Sequence, residues 1–304
     1  MSDYTNDDKY LPSHIKDYLK LLRAQDWVKN LVIFLPLFFS ARIGEFIPFA
    51  KALTATVIFC LVSSAVYIFN DLQDLDVDRQ HPKKIGRPLA SGRIGKTPAM
   101  TIMITLLISG LSAAAYFSPM LLFYSSLYFL LNLVYSLKLK YVPIVDVVII
   151  ASGYVIRIFV GGSVTQTTIY MWIVVMTFLL AMFIGFAKRR DDVIICIEKG
   201  VEVRKVVERY NLRFIDASLI IMATVTIVSY IMYTVSSDTV AKFQTNKLYL
   251  TTVFVIIGIL RYLQMIFVEK KGGFPTEILF TDTFMQLCII GWFFTFGFII
   301  YVKF

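Results

Sequence analysis

Residues 57–92 read VIFCLVSSAVYIFNDLQDLDVDRQHPKKIGRPLASG, an apolar run that stops abruptly at a polar block. Val57 to Phe69 has the character of a membrane-spanning helix. Asn70, Asp71, Asp74 and Asp78 follow it at helical intervals. If the helix continues at about 100° per residue, all four side chains share one sector of its surface. The fold class and the candidate chemistry both follow from that junction.

Carboxylates placed so close together repel each other, and their burial beside a membrane adds a further cost. They call for a positive partner. A hydrated Mg²⁺ carrying a phosphate suits them, because Mg²⁺ combines a few carboxylates with substrate phosphate oxygens. The plainer reading of a charge run is a solvated loop. Here it is the weaker one, because the residues recur at helical spacing directly off a span and a basic set, Lys83, Lys84 and Arg87, follows. Asp76 lies off the shared sector and receives no role.

The surrounding chain is a membrane protein. Of its 304 residues 58% are hydrophobic, and the mean hydropathy is +0.71. A bilayer span takes about 20 mostly apolar residues, and such runs recur near 27–41, 48–69, 99–117, 119–137, 142–161, 169–187, 214–236, 247–268 and 284–302. The expectation is an all-α integral membrane protein, a nine-transmembrane-helix bundle forming one polytopic domain over 1–304. The runs are too long and too continuously apolar for barrel strands. The first is short and contains Pro36, so a tilted or incomplete crossing is expected there.

A formal charge of +9 could indicate a nucleic-acid binder, but its distribution excludes that class. Lys and Arg crowd the amino terminus, the 70–98 connection and the 188–213 connection, while alternate connections hold little beyond Arg42, Lys242 and Lys247. By the positive-inside rule the rich loops are cytoplasmic. The expected localisation is therefore the cell (inner) membrane, multi-pass, with the site facing the cytoplasm. The second rich loop is expected to open at Lys188-Arg189-Arg190-Asp191-Asp192. Cys60, Cys196 and Cys288 show no disulfide or metal spacing. His14 and His81 do not suggest acid–base catalysis.

Asn70-Asp71-x-x-Asp74-x-x-x-Asp78, followed by Arg87-Pro88-Leu89-Ala90-Ser91-Gly92, resembles the first aspartate-rich motif of the UbiA family of intramembrane prenyltransferases. The resemblance covers essentially the whole chain. It implies nine helices and Mg²⁺ held by Asn70, Asp71, Asp74 and Asp78, with the three aspartates catalytic in activating a diphosphate.

Four further segments look closer to the branch that transfers 5-phosphoribose from phosphoribosyl diphosphate (PRPP) to decaprenyl phosphate. They are Gln25-Asp26-Trp27-Val28-Lys29-Asn30, His81-Pro82-Lys83-Lys84, Tyr154-Val155-Ile156-Arg157 with Gly161-Gly162, and Lys188-Arg189. The substrate-binding residues so implied are Lys29, Asn70, Lys83, Arg87, Tyr154, Arg157, Lys188 and Arg189. PRPP and a polyprenyl phosphate lipid are the implied partners, in the bilayer, with self-association into a homo-oligomer left open.

Other family members carry a more acidic second motif, where this chain has three cations before Asp191 and Asp192. That difference argues against the alternative, prenyl transfer to a 4-hydroxybenzoate-type aromatic acceptor. A transporter is the non-enzyme alternative. It would place ionisable groups near the bilayer midplane, whereas this acidic cluster lies at a helix end. Arg157 has two readings, contact with a substrate phosphate or snorkelling to the outer interface. Asp282 likewise reads as a site carboxylate or a helix cap.

Overall fold

The structure is a computed structural model describing residues 13–80, 84–199, 209–269 and 281–301. Among these every regular element is helical. Eight helices are long and apolar enough to cross a membrane: Phe46–Gln73, Lys96–Phe117, Pro119–Leu137, Val145–Thr165, Met171–Glu198, Leu212–Val235, Lys247–Phe267 and Thr283–Ile300. The expected all-α membrane class holds, with eight such helices among the described residues rather than nine.

The difference lies in the 27–41 stretch. After α1 (Ser13–Leu21) the chain forms an eleven-residue 3₁₀ helix, Ala24–Phe34, and then the short α2, Leu35–Phe39, with Pro36 in its first turn. Runs of 3₁₀ helix longer than three or four residues are uncommon, because side chains three apart eclipse one another. Here that eclipsing is used. Trp27, Asn30 and Ile33 fall in one row, and each is fixed from outside the helix. Trp27 Nε1 donates to Ser64 Oγ at 3.0 Å, and Asn30 Nδ2 donates to Ser63 Oγ at 3.2 Å. Ile33 is fully buried.

Two compact units divide the chain, residues 1–140 with 156–169 and residues 141–155 with 170–304. The first contains α3 (Phe46–Gln73), α4 (Leu75–Gln80), α5 (Lys96–Phe117) and α6 (Pro119–Leu137). A tight turn at Ser118 joins α5 to α6, whose first residue is Pro119. Proline suits that position because its missing N–H would have no partner there. Lipid is as apolar as a side chain, so burial alone does not drive helices together in a bilayer, and close packing must. A Cβ on Gly110 of α5 would lie 2.9 Å from Val62 Cγ2 of α3. One on Gly161 would lie 2.0 Å from the Ile33 carbonyl oxygen.

The second unit contains the start of α7 (Val145–Thr165), α8 (Met171–Lys199), α9 (Leu212–Val235), α10 (Ser237–Phe243), α11 (Thr252–Phe267) and α12 (Thr283–Tyr301). Gly185 of α8 packs on Val147 of α7, where a Cβ would come within 2.4 Å of Cγ1. Asn211 caps α9 by accepting from Phe214 N at 2.7 Å, and Asp282 caps α12 by accepting from Met285 N at 2.8 Å. Of the two sequence readings of Asp282, the helix cap is the one observed.

The first part of the loop expected from Lys188 onward is instead the carboxy-terminal part of α8, which continues to Lys199. Its charges are matched within the unit, so the helix need not stop where the apolar run stops. Arg190 Nε donates to Asp216 Oδ1 at 2.7 Å, and Arg189 Nη1 to Asp192 Oδ2 at 3.0 Å.

Candidate active site

The carboxylate block straddles a helix break. Asp74 closes α3 at φ −93°, ψ 7°, and α4 restarts at Leu75. Asp71 and Asp78 are buried on the two sides of this break, and Asp76 is exposed. Arg87 Nη1 joins the buried pair, 2.9 Å from Asp71 Oδ1 and 2.5 Å from Asp78 Oδ2. Arg23 also donates to Asp71 Oδ1. Lys84 Nζ lies 3.4 Å from Asp78 Oδ1. The break turns Asp74 towards Lys140, with Nζ 2.5 Å from Oδ1. Asn70 Oδ1 accepts from Ser136 Oγ at 3.2 Å.

The single sector expected for all four residues is thus split. Asp71 and Asp78 share one cation, and Asp74 has another. Three carboxylates and one amide oxygen are interleaved with Arg23, Lys84, Arg87 and Lys140. Burial alone would lower the pKa of Arg23, but Asp71 and Asp26 outweigh it and hold the value above the ordinary one. Arg87 moves the other way: burial and then the neighbouring Arg23 charge lower it, and its two carboxylates offset this only in part.

The residues present fit a hard divalent cation in one respect and limit it in another. All the candidate ligands offer oxygen, and buried Asp78 Oδ1 accepts no hydrogen bond among the described residues. No group of three or more His, Cys, Asp or Glu side chains that could hold a metal occurs among them. Mg²⁺ does not require one, since it uses one or two carboxylates with water and substrate phosphate.

Other residues singled out in the sequence occupy defined places. Lys29 Nζ pairs with Asp26 Oδ1 at 2.5 Å. Arg157 is buried in the first unit, donating from Nε to Asn30 Oδ1 at 2.8 Å and from Nη2 to Tyr128 OH at 3.3 Å. Its guanidinium lies over the rings of Phe59 and Tyr128, 5.0 and 4.8 Å from their centroids. This enclosure replaces the snorkelling alternative. His81 and Lys83 lie outside the described residues.

In the second unit Tyr154 packs against the core, and Lys188 is exposed. Arg189 is only 1% exposed and donates from Nε to Asp146 Oδ2 at 2.5 Å. Tyr210 donates to Asp146 Oδ1 at 2.8 Å and accepts from Ile144 N at 2.6 Å. Ile144 has φ +69°, costly for a β-branched residue and sustained by that contact. Burial, ahead of the Asp146 charge, pushes the Tyr210 phenol above its usual range.

Sequence reasoning gave no site role to Arg23, Lys140, Asp146 or Tyr210. Arg23 and Lys140 read as ordinary juxtamembrane cations, and no local pattern distinguishes them. Asp146 carried a signal, being a carboxylate at the head of an apolar run.

The UbiA prenyltransferase family model matches residues 31–287. The decaprenyl-phosphate phosphoribosyltransferase of Mycolicibacterium smegmatis is 28% identical over 303 aligned residues, covering 94% of this chain and 93% of that protein. Its namesake from Corynebacterium glutamicum is 28% identical over 307, covering 98% and 91%. A UbiA homolog from Archaeoglobus fulgidus bound to DMAPP and Mg²⁺ aligns with a TM-score of 0.67 at 21% identity, covering 91% of this chain and 98% of that one. A family match of that extent, on an all-helical membrane fold carrying the carboxylate block, makes the chain a member of the UbiA prenyltransferase family and a membrane transferase similar to the decaprenyl-phosphate phosphoribosyltransferases.

Proposed function

We propose that the protein transfers 5-phosphoribose from PRPP to a polyprenyl phosphate, decaprenyl phosphate being the first candidate, with release of diphosphate. The proposed setting is the cytoplasmic side of the inner membrane. Similarity to the phosphoribosyltransferases along nearly the full chain supports this reading. The structural observation that carries it is Arg87 Nη1 bridging Asp71 and Asp78, because the same few ångströms then hold metal-type oxygens and phosphate-type cations.

In the reaction the C1–O bond to diphosphate breaks with both electrons leaving on oxygen, and a lipid phosphate oxygen bonds to C1. One or two carboxylates of the set Asn70, Asp71, Asp74 and Asp78 would hold Mg²⁺, which would neutralise charge on the departing diphosphate. Arg87 and Lys84 would bind phosphate oxygens of the donor, as guanidinium and ammonium groups do through charge-assisted hydrogen bonds. Lys140 orients Asp74. The attacking phosphate is already anionic near neutral pH, so the site needs no strong general base.

Lys188, exposed on α8, remains a substrate-contact candidate. Arg189, enclosed by Asp146 and Asp192, is assigned to holding α8.

Purified protein incubated with Mg²⁺, polyprenyl phosphate and PRPP should yield a phosphoribosyl lipid and diphosphate, both resolved by mass spectrometry. In a parallel reaction with prenyl diphosphate and 4-hydroxybenzoate, no prenylated product is expected. A prenylated aromatic product with no phosphoribosyl lipid would overturn the proposal.

A further inference from the structure

Helix α1 is fastened to the rest of the first unit along one side. Asp17 Oδ1 accepts from Arg93 Nε at 2.8 Å, and one turn later Leu21 is buried among Ile68, Leu75, Leu89, Ile94 and Ala99. Just past the helix, the Leu22 carbonyl accepts from Ser64 Oγ at 2.8 Å, and Arg23 donates to Asp71. These partners hold α1 beside the carboxy-terminal end of α3 and the first turn of α5, where apolar runs meet the polar connection. A bilayer crossed by α3 and α5 has its head groups at that level.

The other side of α1 faces away from those partners. At about 100° per residue, Ile15, Tyr18 and Leu19 share a sector directed away from Asp17 and Leu21. They are 45%, 44% and 38% exposed. Lys16 and Lys20, one turn apart, flank this sector, with Lys20 exposed and Lys16 half-buried. Single exposed apolar side chains are ordinary. Three on one face, an aromatic among them and lysines alongside, have the make-up of a helix lying in a membrane interface.

The charges choose between occupants. A second copy of the chain docked on this face across a twofold axis would set Lys16 and Lys20 against their own counterparts. An acidic lipid surface complements them instead. Isoleucine and leucine then enter the boundary of the acyl chains, and the tyrosine ring lies among the head groups.

We propose that α1 is an interfacial anchor. Its Ile15, Tyr18 and Leu19 face seats in the bilayer surface, and Lys16 and Lys20 select acidic phospholipid head groups. The surface is separate from the carboxylate site and independent of which group the enzyme transfers.

The full-length protein tests this with the photoreactive residue p-benzoylphenylalanine in place of Tyr18. It is reconstituted in liposomes of phosphatidylcholine with phosphatidylglycerol as the minor lipid. Illumination followed by mass spectrometry identifies what lies against position 18. The expected product is a phospholipid adduct with phosphatidylglycerol enriched about fivefold over its share of the mixture, the effect of one surface lysine. Lys16→Gln combined with Lys20→Gln should return the adduct to the composition of the mixture. Ile15→Ser combined with Leu19→Ser should cut the total lipid adduct severalfold.

A crosslink to a second copy of the chain, no lipid adduct, or adducts that match the mixture before the lysines are changed would each overturn the proposal. So would phosphatidylglycerol enrichment that survives the glutamine pair. An adduct yield unaffected by the serine pair would also overturn it, since the probe would then be inserting by itself.

Discussion

Lys140 Nζ stands 2.5 Å from Asp74 Oδ1, tying the short turn after α6 to the residue that closes α3. The contact makes Lys140 a positioning residue for a carboxylate at the helix break. Lys140→Met should lower kcat by about 10–100-fold, the usual cost of losing a group that orients a metal ligand, beyond the loss of stability that follows from leaving Asp74 without its buried partner. Asp71→Asn and Asp74→Asn should lose turnover altogether while the protein stays folded in detergent. Steady-state kinetics alongside thermal unfolding separate the two effects, and wild-type rates in both aspartate variants would remove the metal-ligand assignment.

Arg189 and Asp146 form an ion pair whose side chains are 2% and 0% exposed. Removing one partner leaves a buried charge uncompensated, so Arg189→Met should cost about 3–5 kcal/mol of stability. Asp146→Asn in the same chain should recover part of that loss, because the stranded charge disappears. Thermal melts of the single and double variants in one detergent provide the comparison. A double variant less stable than the single would contradict a stranded Asp146 charge as the source of the loss.

Close approach at Gly161 predicts a steric effect free of electrostatics. Its added Cβ would meet a backbone oxygen 2.0 Å away, which cannot move aside as a side-chain tip can. Gly161→Ala should destabilise by about 1–3 kcal/mol or more. Gly44→Ala, where a Cβ meets nothing within 4 Å, should be neutral. Equal melting temperatures for the two variants would mean that the 3₁₀ segment yields freely.

Lys242 lies between α9 and α11, its ammonium 4.1 Å from the centre of the Tyr170 ring. Burial lowers its pKa from 10.5 to about 8. The neutral amine therefore appears as pH rises through about 8, where ordinary lysines remain protonated. Acylation by an amine-specific reagent, followed by peptide mass spectrometry, should show Lys242 labelling with a midpoint near pH 8 and other lysines reacting only at higher pH. A midpoint above pH 10 would exclude the shift.

Most of the architecture was legible because apolar length and charge placement act locally. The runs from 48–69 onward became the eight long helices, the largest change at an end being that of α8, which runs on past 187 to Lys199. Two readings failed for a shared reason: the partners that decide them are distant in sequence. Nothing near 27–41 announces a 3₁₀ helix, since Ser63 and Ser64 of α3 help hold it. Lys188 to Asp192 looked like a loop because their matching charges at Asp146 and Asp216 lie far along the chain. The carboxylate block was legible as chemistry but not as geometry. Helical spacing put Asp74 with Asp71 and Asp78, and the break at that residue gave it to Lys140.

The stretched helix before α3 bears on how membrane crossings should be counted. Its eleven residues at about 2.0 Å each, followed by the five of α2 at about 1.5 Å, extend about 30 Å. That equals the thickness of a hydrocarbon core, reached with sixteen residues where an α-helix takes about twenty. A hydropathy window fixed to α-helical rise passes over such a segment. Length alone does not make this stretch a crossing, since its first half carries Asp26, Lys29 and Asn30 and the helices long and apolar enough to span number eight among the described residues.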